Sequence, residues 1–97
     1  MVMALLSLDS VLEADPRVVS QVVGEEAVLV LTDASQVKVL NEVGARIWSL
    51  IDGSTELREI AARINEAYQV DLTQAEYDVL EFVTSLYERG IVREVSV

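Results

Sequence analysis

Cysteine and histidine are absent from the 97 residues, proline occurs once, and only 7 side chains are basic against 17 acidic. The first two absences remove thiol nucleophiles, disulfides, Cys/His zinc sites, Ser-His triads and imidazole general bases together. Few enzyme mechanisms survive that removal, so no catalytic residue, metal or cofactor is expected. The formal charge of −10 repels a phosphate backbone or an anionic bilayer at long range, which argues against nucleic acid and membrane partners. Long apolar runs are also missing. The stretch Val2, Met3, Ala4, Leu5, Leu6 and Leu8 is far too short to span a bilayer and has no basic flank. Met1 to Leu8 reads as an N-terminal arm or edge strand, the candidate arm covering residues 1–15, and the cytoplasm is the expected compartment. The four glycines stand singly, so there is neither a phosphate-binding loop nor a dinucleotide fingerprint.

What is present is a chain 52% hydrophobic, long enough for one core and one domain over residues 1–97. After Asp15-Pro16, the β-branched Arg17 to Val23 predicts a strand, closed by a turn at Gly24-Glu25. Ala27 to Leu31 is an uninterrupted apolar run, as expected of a strand covered on both faces. Thr32 to Ser35 supplies a reversal, and Val37-Lys38-Val39 alternates as a half-exposed third strand. The three form an antiparallel meander.

Three helices follow. Asn41 caps the first, which carries Ile47, Trp48 and Ile51 on one face and ends at Asp52-Gly53. Ser54 or Thr55 caps the second, in which Leu57, Ile60, Ala61, Ile64 and Tyr68 repeat at three- and four-residue steps. Thr73 with Glu76 fits a capping box opening the third, which closes at Arg89-Gly90 before a short strand over Ile91 to Val95. The third helix has two apolar lines: Ala75, Val79, Phe82 and Leu86, and beside them Leu80, Val83 and Tyr87. One line faces the core; the neighbouring one is either core as well or a contact surface.

Strands, three helices and a terminal strand make an α+β fold of winged helix-turn-helix type, whose third helix reads DNA in transcription factors. Charge contradicts that use, since this helix holds Glu76, Asp78, Glu81 and Glu88 against a single Arg89. A carboxylate-based enzyme is the other alternative. Glu76 with Asp78 or Glu81 supplies only the pairs that chance gives a solvated acidic face.

The segment Leu40-Asn41-Glu42-Val43-Gly44-Ala45-Arg46-Ile47-Trp48, continuing through Leu50-Ile51-Asp52-Gly53, resembles the PqqD-like family, also called the RiPP recognition element. Ile60-Ala61, Tyr68-Gln69-Val70-Asp71, Asp78-Val79-Leu80, Phe82, Leu86 and Arg89-Gly90-Ile91-Val92 continue the likeness across about residues 27–92. The chain departs from that pattern at Ser35-Gln36-Val37, where the family often has glycine and an aromatic residue. The resemblance implies a peptide-binding adaptor that grips the leader of a ribosomally made precursor peptide by strand addition. It places the paired edge at Val37, Lys38, Val39 and Leu40, and the groove wall at Leu80, Val83, Thr84 and Tyr87. The implied partners are the precursor peptide and a leader peptidase or other modifying enzyme. Free-standing members of lasso-peptide biosynthesis are the most similar; a chaperone for a radical enzyme in pyrroloquinoline quinone biosynthesis is the alternative.

Overall fold

The computed structural model describes residues 6–32 and 36–95. Within them the order is β1 (Leu12–Ala14), β2 (Val18–Val23), β3 (Glu26–Leu31), β4 (Gln36–Leu40), α1 (Glu42–Leu50), α2 (Leu57–Tyr68), α3 (Leu72–Glu88) and β5 (Val92–Glu94). The fold is α+β: an antiparallel sheet in the order β2-β3-β4, followed by three helices. Residues 33–35, where the β3–β4 reversal was expected, and Met1 to Leu5 of the arm lie outside the described residues.

β3 is covered less than its composition suggests. Ala27, Leu29 and Leu31 are buried, whereas Val28 and Val30 are half-exposed, so one face meets the helices and the other faces outward. The five apolar side chains of the continuous run Ala27 to Leu31 hide a period of two, because the outward face of the sheet is itself aliphatic. Val19, Val30 and Val37 form one cross-strand row on it, and Val28 with Val39 belongs to the next.

The terminal strand does not extend this sheet. β5 pairs antiparallel with β1, a strand that composition had not marked out, with Glu13 opposite Arg93 and their side chains in an ion pair at 2.6 Å. The arm therefore folds across the helical side. Leu8 and Ser10 accept hydrogen bonds at their carbonyls from the amides of Arg58 and Leu57, at 2.9 and 3.0 Å. These are first-turn amides of α2 that the helix itself leaves unpaired. No side chain caps α2 at Glu56; Ser54 and Thr55, expected there, are instead held by Asp52, which accepts from both of their amides at 2.9 Å.

The other caps are clearer. Asn41 accepts from the Gly44 amide at 2.9 Å and opens α1, which ends at Leu50, just short of Asp52-Gly53. Asp71, rather than Thr73 with Glu76, opens α3 by accepting from the amides of Thr73 and Gln74. Gly90 (φ +76°) ends α3 in the left-handed conformation that glycine takes without strain. One core joins the layers: Ala27, Leu29 and Leu40 of the sheet meet Ile47, Leu57, Ile60, Ile64, Val79, Val83 and Leu86 of the helices, with Leu12 and Val92 of the small sheet. No described helix is long and apolar enough to cross a membrane.

Candidate peptide-binding site

β4 is an end strand. It pairs with β3 from Gln36 opposite Leu31 to Leu40 opposite Ala27, and among the described residues no strand occupies its other edge. Among the described residues the row of backbone donors and acceptors there is open, and β1 of the arm pairs with β5 instead. Side chains alternate along it. Lys38 and Leu40 stand opposite the buried Leu29 and Ala27 and so face the helices, while Val37 and Val39 point outward and are 62% and 63% exposed. Parity is fixed by β3, whose buried residues decide the inward face, so Lys38 follows Leu40 inward despite its charge. The Lys38 stem covers apolar surface while its ammonium stays wet.

Beside this edge lies a cavity of about 440 Å³ between β4, α1 and α3. Lys38 lines it from the strand, Asn41, Val43, Gly44 and Ile47 from α1 and its cap, and Asp78, Glu81, Phe82 and Ser85 from α3. The lining mixes apolar Val43, Ile47 and Phe82 with charged Lys38, Asp78 and Glu81. Asp78 accepts from Nε2 of the Gln74 side chain at 2.8 Å. Lys38 forms no ion pair within 4.0 Å among the described residues.

The structure redistributes the residues expected to bind. Val37, Lys38, Val39 and Leu40 are together on the open strand. Leu40 brings only its backbone, its side chain being 2% exposed. On α3 the two apolar lines divide differently from the expectation: the core line is Ala75, Val79, Val83 and Leu86, all fully buried. At about 100° per residue these four share an arc of about 80°. Val83 is therefore core and no part of a groove wall. Phe82, Asp78 and Ser85 lie to one side of that arc, toward β4; Leu80 and Tyr87 lie to the other. Leu80 and Thr84 line a separate shallow cavity of about 510 Å³ on the outer face of α3, with Tyr77, Glu81, Ser85 and Glu88. Tyr87 is half-buried against the core. The groove residues of α3 escaped notice because Asp78 and Ser85 interrupt the hydrophobic line that contains Phe82; the three- and four-residue spacing was the available signal.

Ionisable groups with shifted affinities lie away from this cavity. Hydrogen bonds from Arg17 hold the Asp15 carboxyl below its usual range, and the Ser54 amide with the Thr55 hydroxyl does the same for Asp52. Arg58 is raised by its hydrogen bond to Asp9, and Tyr68 by desolvation with Glu42 beside it. Each belongs to a turn or to packing between elements. The cavity sets apolar and charged side chains beside an open ladder, which suits an extended peptide better than a reacting small molecule.

The solved structure of TbiB1 in complex with the TbiA(beta) leader peptide is 30% identical in sequence, with a TM-score of 0.78 over 84% of this chain and 94% of that one. A lasso peptide synthetase B1 complexed with the leader peptide shares the fold at 24% identity and a TM-score of 0.77, over 84% of this chain and 96% of that one. No curated protein matches the chain. The family model described as Coenzyme PQQ synthesis protein D (PqqD) matches residues 26–92, from the first residue of β3 to the first of β5. That span takes in the open strand, all three helices and the cavity between them, and the chain belongs to the PqqD family.

Proposed function

We propose that this chain is a noncatalytic adaptor that binds the leader of a precursor peptide as a strand added to β4 and presents it to a leader peptidase or other modifying enzyme, in lasso-peptide biosynthesis. The observation that carries the reading is the vacant edge of Gln36–Leu40 beside the cavity walled by α3. An added strand gains main-chain hydrogen bonds from that edge, and every second side chain enters the groove. TbiB1, at 30% identity, is solved with a leader peptide bound.

The adaptor contributes proximity rather than chemistry. Holding a precursor beside an enzyme gives an effective concentration of roughly millimolar, which needs no nucleophile or general base, in keeping with the absence of Cys and His. The winged helix-turn-helix order of elements is, in this reading, a scaffold turned to peptide binding. The match to PqqD itself supports a second reading, in which the same groove chaperones a precursor for a radical enzyme of pyrroloquinoline quinone biosynthesis. The two differ in the enzyme, not in the groove.

Titration calorimetry with leader peptides, the TbiA(beta) leader among them, tests the edge. Val39→Pro removes a backbone donor from β4 and is expected to abolish binding. Unchanged affinity in a folded variant contradicts the assignment.

A further inference from the structure

Gly44 stands in the first turn of α1, where alanine is the better helix former, so helix stability gives no reason for glycine. Its φ is not in the left-handed region either. The reason is steric. A Cβ on Gly44 would stand 3.2 Å from Cε1 of Phe82 and 3.3 Å from Oδ1 of Asn41, both closer than ordinary carbon contact. Phe82 and Asn41 line the cavity beside β4, and so does Gly44. The Phe82 ring packs against the core on one side and borders the cavity on the other. A close-packed core yields little, so a ring pressed from Gly44 moves into the open space.

We infer that Gly44 is a specificity-determining notch: by leaving room for the Phe82 ring against α1, it keeps the groove deep enough for a bulky apolar side chain of the bound strand. The inference rests on the strand-addition reading and adds to it the size class that the groove accepts. The space left at Gly44 thus serves the ligand beyond any part it has in packing. Leucine at 82 relieves the pressure of a methyl at 44, because it withdraws the ring edge that the methyl would meet.

Selection from a library of random 12-residue peptides displayed on their messenger RNA tests this without a known leader. The wild type, Gly44→Ala, Phe82→Leu and the double variant are each immobilised, after thermal melts establish which are folded. The wild type should enrich peptides with a large apolar residue at one groove-facing position. Gly44→Ala should shift that position to small residues and bind the best wild-type peptide about tenfold or more weakly, the scale of a misfitting methylene. The double variant should recover the preference for a large residue. Phe82→Leu alone should admit larger residues than the wild type does, which carries the test should Gly44→Ala not fold. An unchanged size preference in the folded variants overturns the notch. So does a loss by Gly44→Ala that is equal for large and small peptides. Failure of the wild type to enrich any peptide overturns strand addition itself, and the notch with it, which separates the two failures.

Discussion

Asp52 organises the corner between α1 and α2 with one carboxylate that accepts from two amides and from the Thr55 hydroxyl at 3.0 Å. These bonds favour the ionised form, so the carboxyl titrates below its usual range. A depressed value in the folded state means that the stabilisation is present above the unfolded carboxylate value, about 3.9, and is lost as pH falls through the lower folded one. Asp52→Ala is therefore expected to lower the melting temperature at pH 7, with the gap between variant and wild type closing as pH falls below the ordinary carboxylate range. Melts across pH 2–7 check this, and a gap that persists unchanged in acid contradicts it. Leu40 shows the same division of labour at one residue: its side chain belongs to the core, and its backbone to the open edge.

At the scale of elements, the arm is part of the fold and not an appendage. The carbonyls of Leu8 and Ser10 take up the α2 amides of Arg58 and of Leu57, a fully buried residue. Buried donors left unpaired cost roughly 1–3 kcal/mol each. Deleting residues 1–10 is expected to lower the melting temperature by roughly 5–15 °C for a domain of this size; an unchanged melt would make these caps dispensable. Nothing in the composition of that segment announces a cap, because backbone carbonyls carry no sequence signature, whereas Asn41 and Gly90 do and were legible at once. The α2 core line was legible for a similar reason, its Leu57, Ile60, Ala61 and Ile64 being an unbroken helical stripe that is buried throughout. α3 was not. Apolar residues surround more than half of its circumference, so hydrophobicity left two lines competing, and only packing against α2 and the shared core decided that Val83 goes in and Phe82 borders the groove. β4 was read correctly as an alternating strand, but the direction of the alternation depends on pairing with β3, a non-local fact.

For the whole molecule, the three-stranded sheet has two end strands, β2 and β4, whose outer edges are unpaired among the described residues. β1 and β5 pair with each other, β3 is paired on both sides, and of the two end strands it is β4 whose Lys38 lines the cavity shared with α1 and α3. The −10 charge opposes edge-to-edge association between copies of the chain. The most direct measurement is amide hydrogen exchange by NMR across residues 36–40, free and with a saturating leader peptide. Strand addition predicts that alternate amides of β4, those on its outer edge, slow by about tenfold or more, as paired amides do, while β2 is unaffected. Saturated binding with β4 exchange unchanged, or protection confined to the outer face of α3 around Tyr77, Leu80 and Thr84, would contradict it.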